Sequence, residues 1–368
     1  MAGAAVSRGA AVSLREMSFN DHEQVTALTA RHGLGARSAE EWRHVWIGNP
    51  AYRPGWTPGW VLETSAGEIV GSMANVPLGY EFEGRPIVAA SGRGWVADPR
   101  YRGYAAFLLN ELLQQKNVDL ILNTTVNRHA GPAYAAFDSP RVPAGRWNES
   151  AFWITSYPGF ARSALTARGW RFASALAWPA AVALRLRDLA GRANALRSTT
   201  RDYEVRFESG FDERFDAFWH ELRRENRGLL LAVRNRATLA WHFQYHLQRD
   251  KVWILTASRN GRMLAYSIFY RKDKRDYGLK RVRLVDHQHL EGAQQAFVPM
   301  LAQALRRCRS ERVHMLEDLG CAIEVIEPPH HRELPSWLFH YKANGRLAEA
   351  LKDPAVWRPS LYDGDSSL

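Results

Sequence analysis

The spacing of apolar residues along the 368-residue chain changes period several times, and each change marks an element. Residues 59–64 (Gly-Trp-Val-Leu-Glu-Thr) and 69–78 read as strands joined by a turn at 65–68. A further turn is expected over residues 80–85, and 87–96 continues as the next strand, ending at Asp98-Pro99. After Gly103 the period lengthens to that of a helix, with Ala106, Phe107, Leu109, Asn110, Leu112 and Leu113 in the stripe. Residues 119–123 form a short apolar run of the kind buried inside a sheet. Pro132 is placed to open a helix over 132–137, and 152–154 reads as a closing strand.

Residues 160–201 carry no strand signal. They are rich in Ala, Arg and Leu and predict a helical connector with a break at Trp178-Pro179. That connector either packs between two units or lies on an anionic membrane surface. From residue 202 the earlier grammar returns: a helix over 211–223, a strand over 251–257, an Asn260-Gly261 hairpin turn, strands over 263–270 and 281–286, and a helix over 293–307. The expectation is an α/β (α+β) fold of two mixed-sheet domains flanked by helices, at 1–159 and 202–345, joined by the connector at 160–201. A tail at 346–368 follows, disordered at its end.

Length and composition agree with two folded units, since 46% of residues are hydrophobic and 24% charged. Fourteen tryptophans imply large packed cores or an aromatic-lined cleft. The net charge of +11 favours anionic partners: nucleotide phosphates, acidic glycans, RNA or a membrane face. No run of about 18 apolar residues is present, and the N-terminal segment lacks a signal-peptide core, so a cytoplasmic location is expected. Cys308 and Cys321 have no His or Cys at metal-ligand spacing and are expected as buried thiols, with no metal.

The chemistry concentrates in Trp95-Val96-Ala97-Asp98-Pro99-Arg100-Tyr101-Arg102-Gly103-Tyr104-Ala105-Ala106. Here a strand ends, a loop with two arginines turns, and a helix begins. Helix N-termini expose free N–H groups and partial positive charge, which suits a pyrophosphate. Gly103 and the small Ala105 let the backbone approach closely. The spacing Arg100-x-x-Gly103-x-Ala105 after Val96-x-Asp98-Pro99 resembles the acyl-CoA pyrophosphate loop of the GNAT (GCN5-related) N-acyltransferases. Asn127-Arg128-His129-Ala130-Gly131-Pro132-Ala133-Tyr134 resembles that family's later motif, although Asp138-Ser139 stands where the family has Gly-Phe.

The resemblance implies a tandem GNAT protein with a degenerate second half, whose co-substrate is acetyl-CoA or another acyl-CoA. Val96, Ala97, Arg100, Tyr101, Arg102, Gly103, Tyr104, Ala105 and Asn127 would contact the cofactor, and Tyr134 would protonate the departing thiolate. An amine would attack the thioester directly, with Glu81, Glu83, Asp98 and His129 as candidate bases. Trp46, Glu81, Asp286 and His287 are candidates for holding the acceptor, a small-molecule or glycan amine. His287 and His289 share a strand face. The strand-to-helix junction of the second half, 284–294, has no Arg and carries Glu291, which would repel phosphate. Two alternatives remain open: a Fem-like transferase using aminoacyl-tRNA, although nucleic acid is not the favoured partner, and a non-catalytic GNAT-fold binding protein.

Overall fold

The computed structural model describes residues 11–191, 202–320, 325–333 and 338–368; Cys321 and the end of the connector lie outside them. Strand β1 (Val12–Glu16) is followed by helices α1 (His22–Arg31) and α2 (Ala39–His44), then strands β2 (Gly59–Thr64), β3 (Ile69–Phe82) and β4 (Arg85–Ala97). Helix α3 (Ala105–Leu113), strand β5 (Leu120–Val126), helix α4 (Gly131–Ala136) and strand β6 (Arg146–Ile154) complete the first half. Helices α5 (Tyr157–Ala167) and α6 (Ala173–Gly191) form the connector. The second half runs β7 (Glu204–Glu208), α7 (Glu213–Glu225), β8 (Leu231–Ala232), α8 (Arg236–Gln248), β9 (Val252–Arg259), β10 (Arg262–Arg271), β11 (Arg281–His289), α9 (Phe297–Ser310), β12 (Met315–Gly320), β13 (His330–Glu333), β14 (Leu338–Ala343) and α10 (Gly345–Ala350).

The strands form two seven-stranded mixed sheets, ordered β1-β2-β3-β4-β5-β14, with β8 beside β3, and β13-β6-β12-β11-β10-β9-β7. This is the two-sheet α/β architecture expected from the sequence. The hairpin turns follow from backbone chemistry. Asn260-Gly261 sits at positive φ at both positions, as a two-residue turn between twisted strands requires. Glu83-Gly84 does the same, so β3 continues to Phe82 and the turn is shorter than the 80–85 expected.

The partners of two strands differ from expectation. The segment 152–154 belongs to β6, which pairs with β12 of the second sheet, while β14 pairs with β5 of the first. The halves therefore exchange strands, a choice of partner that strand propensity does not encode. Helix α6 runs unbroken through Pro179. One face, with Ala173, Ala177 and Ala181, is buried, while Trp178, Val182, Leu186 and Leu189 are exposed on the other. Among the described residues no helix is long and apolar enough to cross a membrane.

The tail also differs: it is packed, with Leu361, Tyr362 and Asp363 buried. It joins a core shared by both halves, in which Tyr80, Leu120 and Leu122 meet Phe215, Phe218 and Tyr266. At its centre Arg234, 2% exposed, pairs with Asp286 of β11 at 2.9 Å and with Asp363 of the tail at 2.8 Å. Tyr266 donates a hydrogen bond to Asp286, and Tyr80 donates to the Asp363 carbonyl. Removing the cation would strand a buried carboxylate. Arg234→Ala is therefore expected to lower unfolding stability by ~3–5 kcal/mol in urea titrations followed by tryptophan fluorescence.

Candidate functional site

Strands β4 and β5 run parallel only through Ala89↔Leu120, Ala90↔Ile121 and Ser91↔Leu122, then part. At the fork the Gly92 N–H donates to the Asn123 side-chain oxygen at 3.1 Å. A Cβ on Gly92 would come within 2.7 Å of that same oxygen and closer still to Leu112 and Met73, so glycine is required by close packing. Immediately beyond, β4 takes up an extra residue against β3, between Arg93↔Ala74 and Val96↔Ser72, with Gly94 at φ 64°. This bulge turns the β4 backbone at the mouth of the fork. The fork opens into a cleft of about 570 Å³.

The cleft is walled at one end by the loop singled out in the sequence. Pro99–Tyr104 forms 3-10 turns leading into α3, whose first turn has no side-chain cap and no acidic residue. The helix dipole favours an anion there. Val96, Ala97, Arg102, Ala105, Asn127 and Tyr134 line the cleft. Arg100, Gly103 and Tyr104 lie exposed on the loop beside it, and Tyr101 packs against the first-half core. The Asn127 side-chain oxygen accepts from the N–H groups of His129 and Ala130, which leaves its NH₂ for a ligand. Tyr134 is buried edge-on to Trp95, ring centroids 5.9 Å apart, and burial pushes its hydroxyl pKa well above the usual phenol value. It therefore stays protonated at neutral pH.

The proposed acceptor residues are not gathered there. Trp46 is buried in the first-half core with its indole N–H donating to the Asn75 carbonyl, and Glu81 pairs with Arg223. Asp286 and His287 lie at a second fork, where β11 and β12 part after Leu284↔Asp318. Here too β11 carries an extra residue, Val285, against β10. Asp286 is engaged by Arg234, and His287 Nδ1 faces the Tyr266 carbonyl, which can only accept, so Nε2 carries the lone pair. Tail residues Trp357–Leu361 line this second cleft of about 400 Å³, and Arg358 approaches His289.

Sequence reasoning missed two residues of the first cleft. Asn123 hides inside an apolar run, yet its side-chain NH₂ is buried and unpartnered among the described residues. His32 lines the cleft from the end of α1, with Nε2 3.2 Å from Asp98. Of the candidate bases, Glu83 pairs with Arg346 and Asp98 with Arg31 and His32, while His129 lines the cleft. Among the described residues no three His, Cys, Asp or Glu side chains converge as metal ligands.

No protein-family model matches the chain, and no curated protein matches it in sequence. Solved structures do. A GCN5-related N-acetyltransferase from Anabaena variabilis aligns at TM-score 0.56 and 13% identity over 90% of this chain and 73% of its own. One from Kribbella flavida gives TM-score 0.56 and 12% identity over 91% and 71%. The N-myristoyltransferase of Saccharomyces cerevisiae, solved with myristoyl-CoA, gives 0.54 and 10% over 90% and 79%. The chain has the fold of the GNAT acyltransferases.

Burial holds His246 of α8 and His287 of the second cleft neutral: His246 is lowered to about 4 and His287 to about 3. An unfolded histidine titrates near ~6.5, so below that pH the unfolded chain binds more protons and stability falls towards pH 4. Melting temperature should accordingly drop between pH 7 and 4, and His246→Gln should flatten that slope.

Proposed function

We propose that the chain is an N-acyltransferase that moves an acyl group from acyl-CoA to a primary amine. One observation carries the reading: a parted, bulged strand pair whose mouth holds an uncapped helix N-terminus and arginines. The pyrophosphate would lie on that N-terminus beside Arg100 and Arg102, with the Gly103 backbone free to approach because nothing stands within 4 Å of its missing side chain. The pantetheine arm would run down the fork, where Asn123 and Asn127 offer unused amide donors.

The amine attacks the thioester carbonyl as backbone N–H groups of the β4 bulge stabilise the developing oxyanion. The C–N bond forms, the C–S bond breaks, and the thiolate takes its proton through the Tyr134 hydroxyl, which recovers one from the attacking nitrogen as the amide forms. His32, oriented through Nε2 by Asp98, has the geometry of a base that removes the ammonium proton through Nδ1. The acceptor is a small-molecule or glycan amine.

Calorimetry with acetyl-CoA and longer acyl-CoAs tests the core of this reading. Wild type should bind one of them in the micromolar range, and Gly103→Trp should weaken binding more than ~10-fold with the fold intact. Absence of any acyl-CoA binding would sink the proposal, and RNA binding in its place would favour the tRNA-dependent alternative. In steady-state assays Tyr134→Phe should lower kcat by ~10²-fold with little change in the KM for acyl-CoA.

A further inference from the structure

The helices that join the two halves, α5 and α6, pack on the second sheet along one side only. Phe160 stacks on Phe152 of β6 with ring centroids 5.6 Å apart, and Leu184 packs against the same small core. Asp188 turns inward as well: it accepts from the Tyr157 hydroxyl at 2.7 Å and lies 3.0 Å from His330 Nε2 of β13. With the buried Ala173, Ala177 and Ala181, these contacts fix which side of α6 faces the protein. The other side carries Trp178, Val182, Leu186 and Leu189, whose spacing makes one helical stripe, and all four are exposed. Phe172 and Trp178 are 73% and 70% exposed, so their rings stand in solvent rather than in a shallow groove. Of the thirteen large apolar side chains exposed among the described residues, seven fall between Trp170 and Leu189, which makes this a patch and not scattered surface.

The charges around the patch are of one sign. From residue 157 to 201 the chain holds eight arginines and a single acidic residue, the inward-turned Asp188. Arg162, Arg168, Arg171, Arg185 and Arg187 are exposed. Successive helical residues are turned by about 100°, so Arg185 and Arg187 flank Leu186 on either side of the apolar stripe. The loop before α6 mixes the same two chemistries in Arg168-Gly169-Trp170-Arg171-Phe172. An apolar arc of Trp, Phe and Leu bordered by arginines is the arrangement of a helix that lies in a lipid–water interface. Its apolar side chains enter the acyl boundary while the guanidinium groups stay at the phosphates. Other covers match less of it. A second copy docked two-fold on this face would set the arginine flanks against each other with no acid to answer them. RNA would take the arginines and leave the stripe in water. Helix α6 would lie on the bilayer, since among the described residues no helix is long and apolar enough to cross one.

We propose that the α5–α6 face docks the protein on an anionic phospholipid membrane, with the Trp178–Leu189 stripe in the acyl boundary and the flanking arginines on headgroup phosphates. The inference stands apart from the acyltransferase reading: it uses neither cleft, and either can fail alone.

The test is flotation of the full chain with two kinds of vesicle, phosphatidylcholine alone and phosphatidylcholine with about 30% phosphatidylglycerol. Wild type should bind the anionic vesicles ~10-fold or more tightly than the neutral ones at ~0.1 M salt, and lose most of that preference near ~0.5 M. Trp178→Ser with Leu186→Ser, both at exposed positions, should weaken binding to anionic vesicles by ~10-fold or more at an unchanged melting temperature. Arg185→Gln with Arg187→Gln should weaken it by about 10- to 30-fold. Arg346→Gln with Lys352→Gln removes the same charge from exposed positions in and just after α10, and should leave binding within ~2-fold. Wild type that does not float with anionic vesicles overturns the proposal, as does binding that survives either double substitution in α6. An equal loss in the Arg346→Gln, Lys352→Gln protein also overturns it, by reducing the effect to net charge. A wild type that sediments as a dimer, and as a monomer once Trp178→Ser and Leu186→Ser are introduced, gives the face to a second copy instead. Binding of poly(U) that is lost in Arg185→Gln with Arg187→Gln, without vesicle binding, gives the arginines to nucleic acid and overturns the membrane assignment.

Discussion

The buried interaction that ties the two halves and the tail together is that of Arg234. The residue follows β8, the short strand that pairs with β3 of the first sheet, and its guanidinium reaches Asp286 on β11 of the second. The same group holds Asp363 and so fixes the tail between the sheets. A charge so deeply buried is tolerable only with full partnership, and here the partnership is met by two carboxylates, the Ala232 carbonyl and Ser360. Such geometry is directional: it accepts one relative placement of the sheets, where an apolar contact would accept several. The exchange of β6 and β14 works to the same end, because neither sheet is complete without a strand from the other half.

The two halves are built on one plan and differ where chemistry would demand it. Each has a parallel strand pair that parts after a few residues and a neighbouring hairpin with one extra residue next to the fork. In the first half the fork leads to arginines and an uncapped helix. In the second, Asp286 at the fork is committed to the buried ion pair and the tail lines the opening. A carboxylate fixed at that place disfavours a polyphosphate electrostatically. The second fork thus serves the fold through Asp286 while the first keeps its donors unspent. Unsatisfied buried donors such as the Asn123 amide cost stability.

What the sequence made legible was local. The strand, loop and helix around Gly103 could be read because a change from period 2 to period 3.6, a glycine and two arginines fall within a dozen residues. Asn260-Gly261 was readable because its turn needs two positive φ values that few residue pairs accept. The partners of β6 and β14 were not, since any edge strand of suitable length satisfies the same pattern. Nor was the packed tail, whose Tyr362 and Asp363 look like a polar terminus until Arg234 is placed beside them. Asn123 was lost in an apolar run, and His32 in a helix end, because their meaning comes from what lies across the fork. The tryptophans near the start could have lined a cleft or filled a core. The Asn75 carbonyl, which accepts from both Trp46 and Trp56, places these two in the core.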